Sequence, residues 1–392
     1  MLGGQRETAT VVAVGAGVAG MTAAVLLRRC GVDCIVLERE SRDHVENRQR
    51  AGIVEYRAAR MFEQWGLTHL LGDFPADSTI EVRVNGQPYL LGCDDLSRRC
   101  PARLTPQQAL LRNLIRSYLD DGGDLRFRAA GVALHGLDSS QPAVTYTDQA
   151  GTRREITCSF VAGCDGDHGI CRSFVPPGAL TTHSVDYGIT WLTVLAAAPP
   201  PPHPLMAASD RGFAAHFARG PSASRFYLQC RPGERVDDWP DDRIWAQLRA
   251  RLHRDDLRAG EVTGREMFPL RGSVCEPMSY GGLFLLGDAA HIVPPTGGKG
   301  MNLALGDAEV FARAVRDYAC DGDEAGLRSY SPVSLRRAWT YQDYARVFTE
   351  ITHGLGDGTP SFQARLTAAR LDRLLSGEAA SRDFAELMTG LV

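Results

Sequence analysis

The sequence predicts an α/β fold in which a parallel-sheet unit is interrupted by an inserted antiparallel sheet and closed by a helical C-terminal region. Three observations carry this. A β-branched apolar run at 10–14 passes through a glycine-rich turn into a helical pattern at 21–29, then into a second apolar run at 33–37. A strand–helix–strand sequence of that length has a right-handed crossover that lays its two strands side by side in a parallel sheet. From Tyr187 onward short extended runs at 189–195, 212–217 and 224–230 replace this rhythm, as expected of antiparallel strands. The stretch 362–391 is helical in pattern. The implied division is 1–183 as the main nucleotide-binding unit, 184–279 as the inserted sheet, and 280–392 as the returning segment with its helical tail.

Further elements follow in order. An amphipathic pattern predicts a helix over 107–119, and strands are expected at 124–127, 156–162 and 283–286, with another helix after Gly297. Four consecutive prolines within 196–204 make that segment a stiff surface connection, since proline lacks the amide hydrogen a helix needs. With 392 residues, 44% hydrophobic and 23% charged, the chain can bury a large core. No apolar run approaches the roughly 20 residues of a membrane helix. A net charge of -4 gives no basic excess for a phosphate backbone, so small molecules are the expected partners and nucleic acid is not. The polar N-terminus lacks the order of a secretory signal, which predicts a cytoplasmic protein. Ten cysteines are scattered without a CxxC pair, and they read as small buried residues, neither metal ligands nor a redox pair.

The glycine turn is GAGVAG, with Gly15, Gly17 and Gly20 between the first strand and its helix. The first glycine allows the tight turn, the second a close backbone approach to a pyrophosphate, and the third helix-on-strand packing. The helix N-terminus adds amide donors for phosphate oxygens. Glu38 ends the second strand, where a carboxylate accepts ribose hydroxyl hydrogens and disfavours a 2′-phosphate. This Rossmann-type site suits NAD or the adenosine half of FAD, and the motif does not choose between them.

Four longer segments make the choice: RQRAGIVE at 48–55, GCDGDHGICR at 163–172, PLRGSVCEPM at 269–278 and LFLLGDAAHIVPPTGGKGMNLALGDA at 283–308. In order and spacing they resemble the single-component FAD aromatic hydroxylases, in particular the 4-hydroxybenzoate 3-monooxygenase branch, over nearly the whole chain. The resemblance implies FAD as cofactor, NADPH or NADH as reductant, oxygen transfer through a flavin C4a-hydroperoxide, and a homodimer. It assigns Asp288 to the ribityl chain, Gly300, Met301 and Asn302 to the isoalloxazine, and Pro295, with its neighbour Thr296, to the substrate side. Gln107 is implied as a flavin contact, Arg48 and Arg50 as the gate through which the flavin moves, and His168 and Arg271 as nicotinamide-binding groups. A helix opening near Lys299 would turn its positive end toward the flavin and favour the anionic reduced form.

The substrate pocket departs from the pattern. Arg219 matches the arginine that pairs with the substrate carboxylate, Tyr227 its neighbour and Arg225 an arginine near the flavin. A guanidinium grips a carboxylate through two parallel hydrogen bonds, so an aromatic acid is expected. The serine assisting that arginine is Phe217 here. The two tyrosines and histidine that draw the proton from a 4-hydroxyl are Met206, Met388 and Asp77, and methionine cannot relay a proton. A ring amino group activates the neighbouring carbon without deprotonation, so a 3-amino-4-hydroxybenzoate-like substrate is expected. The alternatives are 4-hydroxybenzoate itself and a non-hydroxylating FAD oxidoreductase.

Overall fold

The computed structural model describes residues 7–48, 52–71, 79–91, 102–355 and 362–391. Strand β1 (Glu7–Val14) is the spine of the first sheet, and Val11, Val12 and Ala13 are wholly buried, as in a strand covered on both faces. It pairs in parallel with β2 (Cys34–Glu38) on one side and β3 (Arg153–Gly163) on the other. Asp124–Phe127 extends the sheet beyond β2 and Leu283–Leu285 beyond β3. Helix α1 (Val18–Arg29) begins three residues before the predicted 21–29 and is buried from Val18 to Leu27. It has no polar face because it is enclosed between this sheet and helix α2 (Gly300–Asp321).

The second sheet is built from β4 (Thr181–Ala196), β5 (Leu205–Ala208), β6 (Ala214–Ala218), β7 (Ser224–Cys230) and β8 (Val262–Glu276). Its order among the described residues is His291–Ile292, β8, β4, β7, β6, β5, Ile80–Val84 and Gln87–Leu91, so chain from both sides of 184–279 completes it. The β4–β8 pairing shifts register between Asp186 and Thr190, which bends the long pair. Strand β7 alternates strictly. Phe226, Leu228 and Cys230 pack with Trp245 and Leu248 of the helix Asp241–Leu252, while Arg225, Tyr227 and Gln229 face the other way.

That other face is covered by helix α3 (Ala325–His353), by Phe362–Ser376 and by helix α4 (Glu378–Thr389). The predicted single run of helix at 362–391 is thus two helices, broken at Gly377. The proline-rich connection is non-helical, and the carbonyls of Ala198 and Pro199 accept from the buried Ser224 hydroxyl at 3.1 Å each. Among the described residues no helix is long and apolar enough to cross a membrane.

Candidate active site

The first wall of the site is the glycine turn. Gly15 has φ +107°, and a Cβ there would sit 2.4 Å from the Cys164 carbonyl oxygen of the neighbouring strand's end. A Cβ on Gly20 would lie 2.0 Å from the Gly15 oxygen, so this residue sets how closely α1 packs on its own turn. Gly17 differs: nothing lies within 4 Å of its missing Cβ, and it caps α1 without any side-chain hydrogen bond to the first turn. Open space in front of an uncapped helix N-terminus is what a pyrophosphate requires. Glu38 is buried, and its two carboxylate oxygens accept the amides of Ala16 at 2.7 Å and Glu40 at 2.8 Å. Each oxygen keeps a second lone pair for a ribose hydroxyl.

The second wall is the segment from Gly287 to Asn302. Asp307, wholly buried on α2, accepts from the Gly287 amide at 3.0 Å, His291 Nε2 at 2.6 Å and an Arg337 Nη at 3.2 Å. This hub fixes the 3-10 turn Gly287–Ala289 that presents the half-buried Asp288. Gly298 has φ +66° with open space at its Cβ position, and α2 then starts at Gly300 with no side-chain cap. Asn302 ties this corner to the opposite loop. Its Nδ2 donates to the carbonyls of Ile53 (2.9 Å) and Gly298 (3.0 Å), and its Oδ1 accepts the Glu55 amide at 3.0 Å.

Lys299 points inward, where Nζ donates to Glu55 Oε2 at 2.6 Å and the Met388 carbonyl at 2.9 Å, 4.7 Å from the Tyr341 ring centroid. Burial pushes its pKa down and the Glu55 carboxylate opposes that shift. Pro295 and Met301 are half-buried. Thr296 is buried with its hydroxyl 2.7 Å from that of Thr349. The Thr349 hydroxyl spends its proton on the Ala345 carbonyl, so Thr296 is the donor and is turned into α3.

The third wall is the face of β5, β6 and β7 that the C-terminal helices cover. Cross-strand register places Met206 opposite Ala215, Ala215 opposite Tyr227, and Phe217 opposite Arg225, which puts Met206, Phe217, Tyr227 and Arg225 on one face. Met206, Phe217, Tyr227 and Met388 of α4 join one apolar cluster. Phe217 meets Tyr227 edge-on at 5.8 Å, and the Arg225 guanidinium lies 5.3 Å from the Tyr227 ring centroid. Arg219, just past β6, is half-buried, and desolvation followed by the repulsion of Arg225 lowers its pKa. Beneath them Trp191 donates to His353 Nε2 at 2.6 Å, and His353 Nδ1 lies 2.9 Å from the Thr349 carbonyl. Burial pushes His353 down to about 3, so it stays neutral with both nitrogens engaged.

His168 and Arg271 come together on a third residue. Asp167 pairs with Arg271, lies 3.5 Å from His168 and approaches Arg172 at 3.8 Å. His168 itself is exposed. Gln107 opens the helix Gln107–Asp120, close enough to Gly52 that a Cβ there would meet the Gln107 nitrogen at 2.5 Å. Arg48 is exposed at the end of the short helix Arg42–Asn47, which Arg112 ties to the Gln107 helix. Arg50 and Asp77 lie outside the described residues.

Residues 8–345 match the model of a family described as FAD binding domain. The p-hydroxybenzoate hydroxylase of Acinetobacter baylyi is 34% identical over 386 residues, spanning 97% of this chain and 95% of its own. The chain belongs to the FAD-dependent aromatic hydroxylases. An aklavinone 12-hydroxylase from Streptomyces peucetius is 24% identical and spans 84% of this chain and 71% of its own. The crystal structure of p-nitrophenol 4-monooxygenase from Pseudomonas putida shares the fold, with a TM-score of 0.82, 18% identity and 98% coverage of both chains.

The protein is therefore a flavoprotein monooxygenase with FAD as cofactor and NAD(P)H as the reductant general to its family. The non-hydroxylating alternative falls away. The glycine cradle and two uncapped helix starts fit that cofactor, which Gly15, Gly17, Gly20, Glu38, Asp288, Gly300, Met301 and Asn302 would hold if the resemblance carries over residue by residue. Sequence reasoning missed the residues behind the hydroxylase's walls: the buried Asp307, Glu55, Lys299, Thr349 and His353, and the half-buried Asp167. Glu55 and Asp307 sit inside the segments that carried the resemblance, but only their three-dimensional partners reveal them as hubs.

Proposed function

We propose that this hydroxylase acts on an aromatic carboxylic acid whose ring carries an amino group beside the carbon attacked, as in 3-amino-4-hydroxybenzoate. One observation carries the reading: Met206 and Met388 meet Tyr227 and Phe217 in a single apolar cluster. A thioether neither accepts nor passes on a phenolic proton, and His353 below has no free nitrogen to do so. An amino lone pair activates the ring without that proton leaving. Arg219, half-buried beside Tyr227, supports the carboxylate end, because a desolvated guanidinium strongly favours an anionic partner.

Bound FAD, once reduced by NAD(P)H, supplies the activated oxygen. The chain's own residues grip the acid, keep water from the apolar end of the ring, and hold the positive start of α2 against the cofactor side. A second reading, 3-hydroxylation of 4-hydroxybenzoate, is favoured by the identity to the Acinetobacter enzyme. The test is a panel of substituted benzoates assayed for oxygenated product by mass spectrometry. Product from the amino-hydroxy acid supports the proposal, and product from 4-hydroxybenzoate alone supports the second reading.

A further inference from the structure

Arg225 stands out among the groups lining the sheet face. Its Nε and one Nη are buried and have no hydrogen-bond partner. Leaving such donors unpaired is costly, and the cost is larger for a charged group. The residue sits opposite Phe217 across the β6–β7 pair, and Arg219, whose amide donates to the Ala223 carbonyl at 2.8 Å, continues that ladder two positions past Phe217. Arg219 and Arg225 are therefore diagonal neighbours on one face, a spacing within reach of long side chains. Phe217, opposite Arg225 and two residues before Arg219, offers no hydrogen bond. Arg219 lies within electrostatic reach of both Arg225 and Tyr227, and the Arg225 guanidinium is steadied over the Tyr227 ring.

We propose that Arg225 acts with Arg219 as a two-arginine clamp on the substrate carboxylate, making Arg225 a specificity-determining residue for acidic rings. This rests on the reading of the substrate as an aromatic acid and is independent of which carbon is hydroxylated. One carboxylate has two oxygens and about four lone-pair directions, enough to serve both guanidinium groups. An anion between them removes the mutual repulsion and satisfies the orphaned N–H groups in one step. The clamp should therefore discriminate by charge far more than by ring substituent.

The experiment measures dissociation constants of 4-hydroxybenzoate and its carboxamide on the FAD-loaded enzyme, by perturbation of the flavin spectrum. Wild type, Arg225→Met and Arg225→Lys are compared, with FAD content and circular dichroism recorded for each. Arg225→Met is expected to weaken acid binding roughly ten- to hundred-fold while leaving the carboxamide and FAD content nearly unchanged. Arg225→Lys is expected to fall between, since it keeps the charge but loses the planar fork. Equal losses for acid and amide, or full retention of the wild-type preference, overturn the clamp. Loss of FAD with acid affinity intact assigns Arg225 to the cofactor instead. A wild-type enzyme that binds the amide as well as the acid refutes the aromatic-acid reading itself, a separate result.

Discussion

The cofactor walls and the substrate face of this hydroxylase are built by different means. The cofactor side is backbone chemistry: Gly15 and Gly20, where a Cβ would strike backbone, two uncapped helix starts, and turns pinned from behind by buried side chains such as Asp307 and Asn302. The substrate side is side-chain chemistry on a regular sheet, where Met206, Phe217 and Arg225 share one face of β5, β6 and β7.

Removing the hub should have the largest effect. Asp307→Ala leaves His291 and Arg337 buried without their shared carboxylate, and losing one partner of such a network costs about 3–5 kcal/mol. Urea unfolding should report that loss together with weak FAD retention. A variant of normal stability that still binds FAD would show that the turn at Gly287 is held by something else.

Next come two substitutions expected to separate the regions. Asp288→Ala should release flavin, and Arg219→Ala should raise the KM for aromatic acids by roughly ten-fold to over a hundred-fold with FAD content intact. Each removes a charge-assisted hydrogen bond, a contact that contributes about 1.5–3 kcal/mol. If Arg219→Ala loses flavin, or Asp288→Ala loses only substrate, the division between the walls is wrong.

A smaller effect is expected from pH. The His353 imidazole titrates at about 3 in the folded protein, against about 6.5 when unfolded. Its contribution is fully present above the unfolded value and is lost as pH falls toward the folded one, because the unfolded chain binds the proton first. Between pH values of about 6.5 and 5.5 this amounts to about 1 kcal/mol. Denaturation of His353→Gln should lack that part of the slope. Parallel pH profiles for the two proteins would contradict the neutral, doubly bonded imidazole.

The contrast also explains what could be read in advance. Gly15, Gly17, Gly20 and Glu38 were legible because a phosphate-binding turn needs a fixed local order of residues, and the chain between β1 and β2 supplies it. Helix α3 was not anticipated: Pro332 lies within it, and its polar positions Ser334, Arg337 and Gln342 are buried, so its outward pattern is not that of a surface helix. Thr296 was placed on the substrate side by resemblance, but its hydroxyl is bound to Thr349, a contact 53 residues away that no local pattern encodes. The Asp307 and His353 networks were hidden for the same reason.

The proposal for this pocket is oxygenation of an acidic ring without removal of a phenolic proton. It is tested most directly by the ratio of oxygenated product to NAD(P)H consumed by the unmodified enzyme on 3-amino-4-hydroxybenzoate and on 4-hydroxybenzoate. A neutral phenol is the weaker nucleophile, and each 1.36 kcal/mol added to the oxygen-transfer barrier slows that step about ten-fold. The ratio should approach one for the amino compound and fall well below one for 4-hydroxybenzoate, with hydrogen peroxide making up the difference. Tight coupling on 4-hydroxybenzoate with no turnover of the amino compound would show that this pocket does draw off the phenolic proton.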